Sequence, residues 1–205
     1  MKRILILFAH PSLRRSRIQR ALAKAARLVP GVTFHDLYEE YPDFFINVRR
    51  EQELLAEHDI VIFQHPFYWY STPPIMKQWQ DLVLQHGWAY GEQGRMLEGK
   101  WWMHVLSTGG RADAYCCTGY NRFTIRQLLT PLEQTAHLCR MIFIPPYVLY
   151  STFSVSDAQL EAHVRGYRSL LENMRDGGLE AGDLLRHDTL PNMPDPKLWQ
   201  DSPEP

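Results

Sequence analysis

Asp59-Ile-Val-Ile-Phe-Gln-His-Pro-Phe-Tyr-Trp-Tyr-Ser-Thr-Pro-Pro-Ile-Met-Lys-Gln-Trp-Gln-Asp81 is the stretch on which the fold is decided. Ile60 to Phe63 form an uninterrupted apolar run, the pattern of a short strand buried on both faces. Four consecutive aromatic residues, Phe67, Tyr68, Trp69 and Tyr70, follow where that strand must end. Thr72-Pro73-Pro74 then opens a helix, because proline is tolerated in a first turn whose N–H groups have no intrahelical acceptor. Flat side chains at the carboxyl end of a strand are costly to leave in water and make sense if something flat and apolar lies against them. In open α/β sheets that edge is where ligands bind.

Outward from this segment, apolar runs of strand length alternate with helical patterns, the arrangement of βαβ units around a parallel sheet. Strands are predicted over Arg3–Ala9, Val32–Leu37, Asp59–His65, Lys100–Ser107 and Arg140–Ile144. Helices are predicted from about Ser16 to Leu28, Val48 to Glu57, Pro73 to Leu84 and Thr124 to His137, with residues 38 to 48 as an aromatic loop. A last helix starts at Ser156-Asp-Ala-Gln159, a capping box, and stops near Arg175 before Gly177-Gly178. Right-handed crossovers make this an α/β, flavodoxin-like three-layer sandwich with a five-stranded parallel sheet in the order 2-1-3-4-5. The domain is expected to span residues 1–178. Residues 179–205 read as an extended Pro-rich arm, with five prolines after Leu190.

The 205 residues fit one domain, and 22 basic against 23 acidic side chains leave no broad field for nucleic acid or anionic lipid. Cys116, Cys117 and Cys139 are odd in number and lack CxxC spacing. They argue against a disulfide framework or a zinc site and suit a reducing compartment. The scattered histidines His35, His58, His104 and His163 suggest no metal. The apolar start ends at His10-Pro11 and reads as a strand, not a signal peptide. No run approaches the roughly 20 residues of a membrane span, so the chain reads as soluble and cytoplasmic.

Three predicted strand ends point the same way. After the first come His10-Pro-Ser-Leu-Arg-Arg-Ser-Arg-Ile-Gln19, leading into a helix whose first N–H groups favour an anion. Ser12 and Ser16 supply hydroxyls, and Arg14, Arg15 and Arg17 supply charge. By itself this loop reads equally as a solvated cap. It lacks the GxGxxG and GxxxxGK[ST] spacings, so a single phosphate is the better ligand. After the third comes the aromatic cluster, either a ligand wall or a packed corner. After the fourth comes Ser107-Thr-Gly-Gly110, where glycines let backbone approach a ligand or simply make a turn. Together the three loops describe a pocket for a flat, polar-edged ring with a phosphate tail.

Ala9-His10-Pro11, the Trp69–Asp81 block, His86-Gly-Trp-Ala-Tyr-Gly91, Ser107-Thr-Gly-Gly110, Tyr41-Pro-Asp-Phe44 and Pro145-Pro146 resemble the NAD(P)H:quinone oxidoreductase family of flavodoxin-like flavoproteins. Within it they are most similar to the ancillary subunits of glutathione-regulated potassium-efflux systems, the KefF/KefG type. The resemblance spans about residues 3 to 175. It implies that His10, Ser16, Arg17, Ile18 and Gln19 hold a flavin phosphate and ribityl tail. It places Pro66, Phe67, Tyr68, Trp69 and Tyr70 along the isoalloxazine ring, and Ser107, Thr108, Gly109 and Gly110 at its pyrimidine edge. The family's active-site tyrosine falls on Tyr115, and its histidine partner on Asn121, which hydrogen-bonds but cannot transfer a proton near pH 7. FMN is the implied cofactor, with FAD not excluded by the loops, NAD(P)H the donor and a quinone-like molecule the acceptor. The resemblance also implies a homodimer and a potassium-efflux antiporter as partner, which would make the protein peripheral at the inner membrane.

Overall fold

The computed structural model describes residues 1–190. Five parallel strands, β1 (Ile4–Phe8), β2 (Val32–Asp36), β3 (Ile60–Pro66), β4 (Trp101–Ser107) and β5 (Ile142–Leu149), form one sheet in the order β2-β1-β3-β4-β5. Ile4 is in register with both Val32 and Ile60, and Ile60 with Trp101. The period-two alternation of a strand then sorts side chains into two cores. Ile4, Ile6, Ile60, Ile62, Trp101 and Met103 face α1 (Arg17–Arg27) and α7 (Asp157–Asp176). Leu5, Leu7, Val61, Phe63 and Trp102 face α3 (Val48–Glu57), α4 (Pro74–Val83) and α6 (Thr130–Leu138). The sheet order and the layering are those read from the sequence. Among the described residues no helix is long and apolar enough to cross a membrane.

Four local readings change. Leu37, expected to end a strand, and residues 38–40, expected in a loop, form a short helix, α2 (Leu37–Glu40), whose start is capped by the Asp36 carboxylate accepting from the Tyr38 N–H. The helix expected over Thr124–His137 divides at Leu129 into α5 (Ile125–Leu128) and α6. Pro131 has no N–H to give Gln127, and the Thr130 hydroxyl donates to the Gln127 carbonyl instead, at 2.7 Å. Strand β5 continues five residues past Ile144, through Pro145-Pro146. Two prolines are tolerated because β5 lies at the sheet edge, and a register shift opposite Met103–Val105 absorbs them.

The arm expected from residue 179 begins as packed structure. Leu179, Leu184 of α8 (Ala181–Leu184) and Leu190 are buried against the α1/α7 core, and the Leu190 N–H donates to the Pro146 carbonyl at the β5 edge. Its remainder lies outside the described residues.

One buried carboxylate ties the second layer together. Glu51 of α3 accepts from Tyr41 Oη at 2.5 Å, His35 Nε2 at 2.8 Å and Trp79 Nε1 at 2.7 Å. Burial alone would push this carboxyl up, but the donors, led by His35, hold it below its ordinary value. The helix that follows the aromatic segment, α4, is thereby fixed to β2 and α3 through Trp79.

Candidate active site

A cleft of about 430 Å³ opens at the carboxyl end of the sheet. His10, Ser12, Arg15, Ser16, Arg17 and Ile18 line it from the loop after β1. The His10 Nδ1 accepts from the Ser12 N–H at 3.1 Å, so a neutral ring carries its proton on Nε2. Burial lowers the His10 pKa and favours that neutral form. Ser16 caps α1, its Oγ accepting from the Gln19 N–H at 3.1 Å. That leaves the Arg17 and Ile18 N–H groups at the positive end of the helix without an intrahelical acceptor.

Two predicted residues sit differently from expectation. The Arg17 guanidinium turns away from the β1 loop, pairing with Asp157 at 2.5 Å and donating to the Val155 carbonyl. Arg17 therefore meets the cleft through its N-terminal position on α1. Gln19 does not line the cleft. It is fully buried, and its Nε2 donates to the His65 carbonyl at 3.0 Å and to Ser107 Oγ at 2.9 Å. Its Oε1 accepts from Gln64, which in turn accepts from the Tyr167 hydroxyl. Gln19 is a brace that joins the ends of β3 and β4.

From the β3 end, Pro66, Phe67 and Tyr68 line the same cleft. Trp69 and Tyr70 have φ of 50° and 62°, left-handed values that cost a bulky residue on the order of 1 kcal/mol or more each. The turn holds because the Phe67 N–H donates to the Ser107 carbonyl and the Ser71 N–H to the Tyr68 carbonyl. It presents the Trp69 ring to solvent at 92 % exposure.

From the β4 end come Ser107, Thr108 and Gly109. The Thr108 N–H is spent on the Leu149 carbonyl and the Gly110 N–H leans on Thr108 Oγ1 at 3.3 Å, and the Gly109 N–H makes no hydrogen bond to protein among the described residues. Both glycines sit close to aromatic rings, the exposed Phe153 at Gly109 and the hydrogen-bonded Tyr115 at Gly110. A Cβ on Gly109 would lie 2.5 Å from the Phe153 ring, and one on Gly110 would lie 2.9 Å from the Tyr115 ring.

A second cleft, about 360 Å³, adjoins the first across Phe67, which lines both. Trp69, Tyr70, Gly110, Tyr115 and Asn121 meet there, with Ala114 and Tyr120. The Tyr115 hydroxyl lies 2.5 Å from Thr108 Oγ1, and the Tyr70 hydroxyl donates to Asn121 Oδ1 at 3.1 Å. The predicted site is thus divided, with one set of residues around the larger cleft and the aromatic tip, Tyr115 and Asn121 around the smaller.

Thr152 and Phe153, on the loop after β5, also line the first cleft and were not among the predicted residues. Ending β5 at Ile144 hid that loop from the sheet edge. Behind the cleft, His65 Nδ1 donates to the Pro66 carbonyl at 2.9 Å and His65 Nε2 lies 3.1 Å from His104 Nδ1. Burial pushes His65 down to about 4 and also lowers His104 well below its ordinary value, with His65 adding to the latter. Both rings are neutral near pH 7 and act as structure. Among the described residues no three His, Cys, Asp or Glu side chains gather as a metal ion would need.

Residues 2–171 match the flavodoxin-like fold family. The chain is 43% identical over 177 residues to the glutathione-regulated potassium-efflux system ancillary protein KefG of Cronobacter sakazakii, an alignment covering 86% of this chain and 96% of that one. It superposes on general stress protein 14 of Treponema denticola, solved in complex with FMN, with a TM-score of 0.77 and 33% identity, covering 85% and 98% of the two chains. It superposes on an NADPH-quinone reductase from P. pentosaceus with a TM-score of 0.75 and 33% identity, covering 82% and 96%. By sequence and by architecture, the chain belongs to the flavodoxin-like fold family that includes the ancillary proteins of glutathione-regulated potassium-efflux systems.

Proposed function

We propose that the protein is an FMN-dependent NAD(P)H:quinone oxidoreductase, with FMN in the larger cleft and nicotinamide and acceptor taking turns in the smaller. The observation that carries this reading is the pair of clefts sharing Phe67. The first combines helix N–H donors with a glycine-backed edge, and the second offers aromatic faces and neutral hydrogen-bonding groups.

The residues fit a flavin mononucleotide. The Arg17 and Ile18 N–H groups, with Ser12, Ser16 and Arg15, suit a phosphate dianion. The His10 Nε2–H and the Gly109 N–H would be donors along the cleft, and the absence of side chains at Gly109 and Gly110 leaves their backbone open to a ligand. The FMN-bound relative supports FMN as the flavin. When bound, FMN supplies the capacity to take a hydride from NAD(P)H and pass two electrons to a quinone.

The chain's own residues bind and orient. The Gly109 N–H would be available to stabilise negative charge on a reduced flavin held in this cleft. Phe67, Trp69 and Tyr70 would offer flat surfaces to the reactants. The Tyr115 hydroxyl, fixed by Thr108, is the hydrogen-bonding group at the mouth of the smaller cleft. With Oδ1 of Asn121 engaged by Tyr70, its Nδ2 is left to donate to an acceptor carbonyl. Asn121 would hold such an acceptor without giving it a proton. Exposed Trp69 and Tyr120, which line this cleft, give it an apolar rim that suits a second copy of the chain.

A second reading, as a regulatory subunit on a potassium-efflux antiporter, is favoured by the 43% identity to a protein of that name over nearly its whole length. The two roles are compatible. The test of the first is the absorption spectrum of the protein after incubation with FMN, followed by anaerobic NADH or NADPH. A bound flavin band that bleaches with either donor is expected. No bound flavin, or no bleaching with both, would reject the reductase reading.

A further inference from the structure

We infer that the loop joining β5 to α7 is a fourth wall of the cofactor cleft and that Phe153, at its tip, packs on the bound flavin. This rests on the flavin reading above. Phe153 is 94 % exposed, yet its ring lies against Gly109 and lines the larger cleft. An aromatic ring left in water gains by covering, and its one flank already touches the glycine edge.

The loop around Phe153 is held at both ends. The Ser151 N–H donates to the Gly110 carbonyl at 3.0 Å and the Thr152 N–H to the Thr108 carbonyl at 3.1 Å, which ties the loop's start to the glycine edge. Ser151 adopts φ 56°, and the Ser154 N–H closes a turn on the Ser151 carbonyl at 2.8 Å. At the far end, Arg17 grips Val155 and Asp157, which ties the loop to the N-terminus of α1. The segment therefore spans from the proposed pyrimidine edge to the proposed phosphate end. Its backbone is anchored at both, and Phe153 is the large side chain it presents to the space between. Arg17 is a positioning residue for this wall.

Apoprotein is titrated with FMN, following flavin fluorescence, for the parent, Phe153→Ala and Phe153→Trp chains. With one stacking face lost, Phe153→Ala is expected to weaken FMN binding about tenfold. Its melting temperature without FMN should stay unchanged, because the ring is exposed. Phe153→Trp should show tryptophan emission above that of the parent, and this increment should vanish as FMN saturates. Equal FMN affinity for parent and Phe153→Ala, an unquenched increment, or a change in oligomeric state without a change in affinity would overturn the inference. A parent chain that binds no FMN would overturn the flavin reading itself.

Discussion

The residues that matter most for chemistry are small and neutral. Gly110 faces the Tyr115 ring so closely that Gly110→Ala must push Tyr115 aside and break its 2.5 Å contact with Thr108. Quinone reduction by that variant should fall more than tenfold, on the order of 1.4 kcal/mol in the barrier, while FMN affinity changes little; steady-state turnover beside an FMN titration checks this. Asn121 leads to a second expectation. The parent should show no pH limb from this position between pH 5 and 8, whereas Asn121→His should introduce one near the imidazole range. A pH–rate profile identical in the two chains would contradict the placement of Asn121 at the acceptor. Single residues were also where sequence reasoning went astray. Ser16-Arg17-Ile18-Gln19 reads as a uniform phosphate loop, yet Gln19 points inward to brace β3 and β4, and Arg17 reaches 140 residues along the chain to Asp157. Side-chain direction after a helix cap depends on distant partners, and local composition does not encode it.

At the scale of elements, strands β1 to β4 and helices α1, α3, α4 and α7 were legible because their apolar periodicity and caps agree. The exceptions all involve competition that a local window misses. Prolines stop a central strand but not an edge strand, so the extent of β5 depended on its place in the sheet. Pro131 divides what hydrophobic spacing alone makes one helix. The Glu51 cluster was invisible for a different reason, since its four members lie on four separate segments. Glu51→Gln keeps the shape but puts an NH2 group where the carboxylate accepts, so it cannot satisfy all three donors. A loss of about 2–4 kcal/mol in denaturant stability is expected. A loss under 0.5 kcal/mol would mean that the network contributes little to holding α4.

Over the whole molecule, buried titratable groups set how the fold answers to acid. His65 is pushed by burial from its ordinary 6.5 to about 4, and burial lowers His104 as well. The unfolded chain therefore binds protons between these values that the folded chain does not. Stability is full above pH 6.5 and is lost as pH falls towards 4, by about 3 kcal/mol from His65 alone. Glu51, held below its ordinary value, adds a loss at lower pH as its carboxylate protonates. Urea midpoints at pH 7.5, 6.0 and 5.0 should fall in that order; a flat series would contradict the buried neutral pair. The same sheet that buries these histidines brings the ends of β1, β3, β4 and β5 to one edge, and the two clefts there are the basis of the proposed reaction. Its most direct test is an anaerobic two-step experiment in one cuvette. FMN-loaded protein is bleached with one equivalent of NADPH or NADH, and a benzoquinone is then added. Return of the oxidised flavin band with one quinone reduced per flavin is the predicted result. A bleached flavin that the quinone does not reoxidise, or one that neither nicotinamide bleaches, would contradict the account.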